Sequence, residues 1–305
     1  MSAGHDHHHH HHHAAPASGH GRAFGFGVAL NTGFVLIEAT MGIVSGSMAL
    51  VADAGHNLSD VLGLLIAWGA SVLAARPPSE RFTYGFKSSS ILAALANAAL
   101  LLVALGAILV ETLRRLGDPQ PVAGGTMIAV AAIGIVINTA TALLFLRGRK
   151  TDLNIRAAFL HMAADAAVSA GVVVAGVLVV WTGRAWIDPV TGLAIVAVIA
   201  WGTWGLLKDS MKMALLAVPE GIDEAAVRAF LAARPGVSAV HDLHIWPMST
   251  TETALTAHLV IPAGHPGDAF LHALAHDLEH DFGIGHATVQ VEIEPECVLG
   301  ADGVV

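Results

Sequence analysis

Charge is scarce in this 305-residue sequence: Asp, Glu, Lys and Arg make up 13% of it while 54% is hydrophobic, against about 25% charged in an ordinary soluble domain. That excludes a purely soluble globular chain. Cysteine is nearly absent, with Cys297 alone, so no disulfide forms within the chain and no zinc motif built on cysteines exists; Cys297 reads as an incidental thiol. Basic residues are missing from the C-terminal part. From Glu220 onward there are 13 acidic residues against only Arg228 and Arg234, so this segment carries −11 and the remainder +2 of the net −9. An acidic domain without Lys and Arg clusters excludes nucleic acid as partner. The phosphate-binding pattern G-x-x-x-x-G-K-[ST] is also lacking, which argues against ATP as the energy source. Residues 1–22 are polar and hold no apolar run before a small-residue cleavage site, so they do not read as a secretory signal.

What is present is apolar length. A bilayer core of about 30 Å needs about 20 mostly apolar helical residues, and six stretches suffice: 23–46, 48–75, 88–113, 122–146, 157–182 and 188–210. The expected fold is a membrane α-helical protein, a six-transmembrane-helix bundle followed by a small C-terminal α+β domain. Its parts are a His-rich disordered tail (1–22), the transmembrane domain (23–212) and an α+β metal-binding domain (213–305). Basic residues of short loops stay on the cytoplasmic side. Placing both termini there puts Arg22, Arg76, Arg81, Lys87, Arg147, Arg149, Lys150, Arg156, Lys208 and Lys212 inside and only Arg114, Arg115 and Arg184 outside. After Pro219 the pattern shortens to a helix (222–233), strands at 237–246 and 252–261, and a helix with Phe270, Leu271, Leu274, Leu278 and Phe282 on one face. A period-2 strand over 286–294 follows.

Two of the predicted spans carry ionisable residues. The second holds Asp53-Ala-Gly-His56-Asn57-Leu-Ser-Asp60 and the fifth His161-Met-Ala-Ala-Asp165. Residues four apart share a helix face, so each helix offers one imidazole and one carboxylate in the same direction. Two such helices face to face build a tetrahedral N2O2 cage from His56, Asp60, His161 and Asp165, a donor set that suits Zn2+. An unpaired intramembrane Asp costs at least about 2.5–3.5 kcal/mol, so matched pairs point to function rather than packing. Asp53, one turn earlier, is either a vestibule residue or an interfacial acid. Asn31 and Glu38 share a face of the first span as candidate ion-path residues, Asn31 reading more readily as a structural hydrogen-bonding group. Glu111 sits at the interface with Arg114 and Arg115. Two other classes share some of these features. A membrane metalloenzyme would need a general base and an open coordination position, typically His-Glu-x-x-His, which is missing; a membrane-anchored metal sensor would need only the soluble domain to bind.

Six spans, the paired His-x-x-x-Asp motifs and an acidic C-terminal domain with His-Asp-Leu-His-Ile-Trp at 241–246 resemble the cation diffusion facilitator family over residues 23 to about 297. The resemblance implies a transporter rather than an enzyme: a homodimer in the inner (plasma) membrane of a bacterium, exporting Zn2+ (with Cd2+ or Co2+ as related cargo) from the cytoplasm in exchange for protons. It implies His56, Asp60, His161 and Asp165 as transport site, the histidine at 56 favouring zinc. It also implies a metallochaperone-like cytoplasmic domain whose metal site is His241, His258 and Glu292. The strand reading agrees, since each of the three lies on its own strand. His286 is a weaker candidate, because six residues at about 3.3 Å each place it about 20 Å from Glu292. His244, at odd spacing, is expected on the face opposite His241. His272, His276 and His280 read as a solvated helix face. His5 and His7 to His13, interrupted by Asp6, read as a native metal-collecting tail rather than a purification tag.

Overall fold

A computed structural model describes residues 21–145 and 153–294. The His-rich tail and Cys297 lie outside the described residues, as does the side chain of Asn31. Six long apolar helices come first: α1 (Gly21–Ser45), α2 (Met48–Ala74), α3 (Ser89–Gly117), α4 (Gly124–Phe145), α5 (Leu153–Thr182) and α6 (Ile187–Ala214). Of these, α2 to α6 are each long and apolar enough to cross a membrane, and Thr32–Ser45 of α1 adds a shorter apolar stretch. Many large apolar side chains point outward, among them Ile43, Trp68, Val103, Trp181 and Trp201, as expected of a surface that meets lipid rather than water.

One compact unit comprises the described residues of Met1–Trp68 and Ala96–Gly205. Its core gathers Phe34, Leu50, Leu105, Met127, Val172 and Val196. Small residues permit close approach of α4 and α5: a Cβ on Gly176 would fall 2.7 Å from Ile128 and 3.3 Å from the Gly124 carbonyl. The start of α2 is fixed by another helix. Asp188 of α6, fully buried, accepts hydrogen bonds from Ser47 Oγ (2.5 Å), Met48 N (2.6 Å) and Ala49 N (3.3 Å). It thus caps amide groups that a helix leaves unsatisfied at its N-terminus and places a negative charge at the positive end of the α2 dipole.

The second unit comprises the described residues of Gly69–Leu95 and Leu206–Val305. Beyond α6 come α7 (Glu224–Ala232), β1 (Ala239–Pro247), β2 (Thr253–Val260), α8 (Asp268–Phe282) and β3 (His286–Glu292). Asp223 caps α7 by accepting from Ala225 N, and Gly283, left-handed at φ 70°, ends α8 as glycine does without steric cost. The sheet order is β1-β2-β3, with β2 antiparallel to β1 and parallel to β3. Leu255, Ala257 and Leu259 of β2 pack with Val227, Leu231, Leu274 and Leu278 from the two helices, which leaves the opposite sheet face for polar chemistry. The segment between α2 and α3, with the first turn of α3, meets the β1–β2 loop and the start of β3: Lys87 pairs with Glu252, Thr250 N donates to Ser90 Oγ (3.1 Å), and Tyr84 stacks edgewise on His286 at 5.6 Å.

Candidate metal centres

The first site lies between α2 and α5. His56 and Asp60 stack one turn apart on α2, and His161 and Asp165 do the same on α5, as the four-residue spacing requires. His56 Nε2 is 3.5 Å from Asp60 Oδ2 and 3.7 Å from Asp165 Oδ1. His161 Nε2 is 3.2 Å from Asp60 Oδ2 and 3.7 Å from Asp165 Oδ2. Donor atoms about 2.0–2.1 Å from a tetrahedral zinc ion are separated from each other by about 3.3 Å; the four His–carboxylate spacings approach that value, and ligand atoms of His56, His161 and Asp165 all lie within 4.8 Å of one another, with Asp60 beside the two imidazoles. The two imidazole rings stand nearly perpendicular, their centroids 6.0 Å apart, edge to face and not stacked. Asp165 is almost fully buried at 3% exposure, whereas Asp60 keeps 25%, which makes Asp60 the accessible edge.

A second polar layer lies one turn away, and sequence reasoning saw only its separate members. Asp53 precedes His56 by three residues on α2 and accepts from Ser169 Oγ (3.2 Å), which follows Asp165 by four on α5. Asn57 Nδ2 donates to Glu38 Oε2 of α1 at 3.2 Å. Asp53 and Glu38 are both fully buried among the helices. Glu111 pairs with Arg115 at 3.0 Å, and Arg115 also holds the Gly46 carbonyl at 2.7 Å.

The other site lies on the polar face of the sheet. His241 of β1 faces His258 of β2 directly, and Glu292 of β3 lies two residues beyond Gln290, the parallel partner of His258. Its side chain reaches back to both imidazoles: His241 Nε2 is 2.8 Å from Oε2 and His258 Nδ1 is 3.1 Å from Oε1. Burial pushes the Glu292 carboxyl up, but the hydrogen bond with His241, another from Gln290 and the charges of His241 and His258 outweigh it. They hold the carboxyl below its ordinary range. Two imidazoles and an ionised carboxylate with converging atoms can hold a borderline divalent cation. The donor chemistry fits zinc.

The strand carries one departure from simple alternation. A β-bulge between His241 and His244 advances β1 by three residues while its partner moves two, from His258 to Thr256. This puts His244 on the same face as His241, not the opposite one, because the extra residue cancels the odd spacing. The bulge residue is Asp242, left-handed at φ 50°. Its Oδ2 is 3.3 Å from His258 Nε2 and its Oδ1 is 2.9 Å from His244 Nε2. Sequence reasoning missed Asp242 because its position depends on the bulge; the available signal was Asp being one of the few residues that tolerate this conformation. His286 pairs with Ala254 at the far end of β3, away from this cluster. On α8, His276 and His280 stack at 6.2 Å and lie beside Asp277 and Asp281 on the exposed face.

The sequence is similar to known proteins. Residues 26–215 match the family model described as cation efflux transmembrane domain, and residues 219–294 match that of the cation efflux protein cytoplasmic domain. The zinc transporter ZitB of Escherichia coli is 36% identical, covering 89% of this chain and 87% of its own. The cadmium, cobalt and zinc/H(+)-K(+) antiporter of Bacillus subtilis is 34% identical over 86% of each chain. A solved structure titled the metal-bound C-terminal domain of the CzcD transporter from Cuprividus metallidurans is 39% identical, with a TM-score of 0.22, covering 23% of this chain and 99% of that one. With two matched domains spanning the bundle and the sheet, and relatives similar along most of their length, the chain belongs to the cation efflux (cation diffusion facilitator) family of membrane metal transporters, which are not enzymes.

Proposed function

We propose that this protein exports Zn2+, with Cd2+ and Co2+ as related cargo, from the cytoplasm across the inner membrane of a bacterium. In this reading His56, Asp60, His161 and Asp165 carry the ion, protons return in exchange, and the protein works as a homodimer with both termini cytoplasmic. The observation that carries the reading is the cluster: two imidazoles and two carboxylates from two helices, each imidazole 3.2–3.7 Å from both carboxylates, within the apolar bundle. Two carboxylates cancel the charge of a divalent ion, which lowers the cost of holding it away from water. Support for zinc, cadmium and cobalt as cargo, and for protons as counter-ion, comes from the names of the two relatives above.

The same residues supply the coupling. Zinc needs neutral imidazole and ionised carboxylate, so binding releases protons and release of the ion invites them back. An emptied cage with two bare carboxylates is costly in the bilayer, and protonation removes that cost. The cage must then face each side in turn, with the ion carried outward and protons inward. His241, His258 and Glu292 form a regulatory metal site in the cytoplasmic domain, where divalent ions offset the −11 charge of each C-terminal segment and favour the paired, compact dimer.

The test is zinc flux into proteoliposomes under an imposed pH gradient. Asp60→Ala and Asp165→Ala each remove a ligand and half the compensating charge, so flux falls to background while the protein stays folded. Wild-type flux in either variant refutes the assignment.

A further inference from the structure

The bundle contains two buried acids that the cage does not use. Glu38 of α1 and Asp53 of α2 are both fully buried. Each has one oxygen served by a neutral donor: Asn57 Nδ2 for Glu38 at 3.2 Å and Ser169 Oγ for Asp53 at 3.2 Å. Among the described residues the other two oxygens, Glu38 Oε1 and Asp53 Oδ1, have no hydrogen-bond donor. Asp53 lies four residues before Asn57 on the same face of α2, so the carboxyl that Asn57 holds stands one helical turn from the Asp53 carboxyl, and two acids so placed in an apolar bundle repel unless one of them carries a proton.

Among the described residues the leading charged influences on this pair include no Lys or Arg, and the one basic group is His56 of the cage. The charged groups acting on Glu38 are Asp53 from α2 and Asp165 from α5, both acidic. Asp53 is acted on by Asp165, Glu38 and His56. Helix α4, which packs against α1, contains no titratable residue. Two bare carboxylates beside a third, in the core of an apolar bundle, are strongly disfavoured. A shared proton resolves the conflict, as in other closely spaced acid pairs.

The position of the pair gives it a use. Asp53 lies toward the start of α2 from His56, and Ser169 lies toward the end of α5 from Asp165. The helices are antiparallel here, so both steps run the same way along the bundle, by one turn. We infer that Glu38 and Asp53 form a proton-binding site one turn from the transport cage, on the side where α2 begins and α5 ends. Its proton leaves when a divalent ion fills the cage and returns when the ion departs. No bond other than O–H is made or broken: the proton goes to water on leaving and comes from water on return. This deepens the proton-exchange reading proposed above and rests on it. With both termini cytoplasmic, the side in question is the outer one, from which protons enter.

The test uses full-length protein in proteoliposomes, with zinc entry and proton movement recorded together by two dyes. Glu38→Gln keeps the shape and the hydrogen bond with Asn57 but cannot titrate. We expect zinc affinity within about 2-fold of wild type, a proton-to-zinc ratio lower by about one, and loss of the rate increase on acidifying the side toward which α2 begins. Glu38→Asp restores part of the pH response. Asp53→Asn, checked for an unchanged melting temperature, gives the same pattern should Glu38→Gln fold poorly. A wild-type ratio and pH response in folded Glu38→Gln and Asp53→Asn overturn the inference alone. Loss of zinc affinity in both variants also overturns it, since the pair would then act on the ion directly. A wild-type protein that moves zinc with no protons refutes the exchange reading itself.

Discussion

Asp242→Asn probes the contact of Asp242 with His258 in the cytoplasmic cluster, along with that to its other partner, His244, at the exposed edge. His258 presents Nδ1 to Glu292 Oε1 at 3.1 Å and Nε2 to Asp242 Oδ2 at 3.3 Å, so a metal held with Glu292 is met by Nδ1 while the Nε2–H donates to Asp242. An outer carboxylate of this kind fixes the tautomer and orientation of a ligating imidazole and raises its basicity, and its loss typically weakens metal binding 10–100-fold, about 1.4–2.7 kcal/mol. Two features set where in that range the effect falls. The 3.3 Å contact is long, and Asp242 is 37% exposed, so water takes over part of its role and the lower half, about 10–30-fold, is expected. Asn also tolerates the left-handed backbone at φ 50°, so the bulge survives and stability changes little. Asp242→Ala lacks that tolerance and loses stability as well. Zinc affinity is measured by competition with a chromophoric chelator on the full-length protein, alongside thermal unfolding without metal. Asp242→Asn binding zinc within 2-fold of wild type refutes the argument that Asp242 positions His258.

Glu292 sets an expectation for pH. A carboxyl held below its ordinary range in the folded state contributes stability that is present above its unfolded value, about 4.3, and is lost as pH falls through the folded value. The melting temperature of the metal-free protein therefore declines on acidification below about pH 4.5, and Glu292→Gln flattens that decline; an unchanged decline refutes the pairing. Asp188→Ala leaves Ser47 Oγ and two helix-terminal amides without their buried acceptor. A loss of about 3–5 kcal/mol is expected by thermal or denaturant unfolding in detergent, and a loss below about 1 kcal/mol shows that water takes over the cap.

The sequence alone determined the membrane class, because a run of about 20 apolar residues has few other stable environments. It also determined the two-residue halves of the cage, since residues four apart on one helix are neighbours whatever the fold. The strand pattern after Pro219 was legible for the same local reason, with the apolar side of β3 set by its period of two. Tertiary structure decided whatever depends on how separate elements align. Asp188 caps α2 from 140 residues away in sequence, and no local pattern announces a cap supplied by another helix. Glu38 reaches the polar face of α2 only because α1 packs where Asn57 can donate to it. His244 shares a face with His241 because one extra residue at Asp242 shifts the register, and a one-residue shift turns every later side chain to the other face. Periodicity within an element is fixed by backbone geometry and can be read along the chain. Register between elements is fixed by packing and long-range hydrogen bonds, and only the folded molecule supplies those.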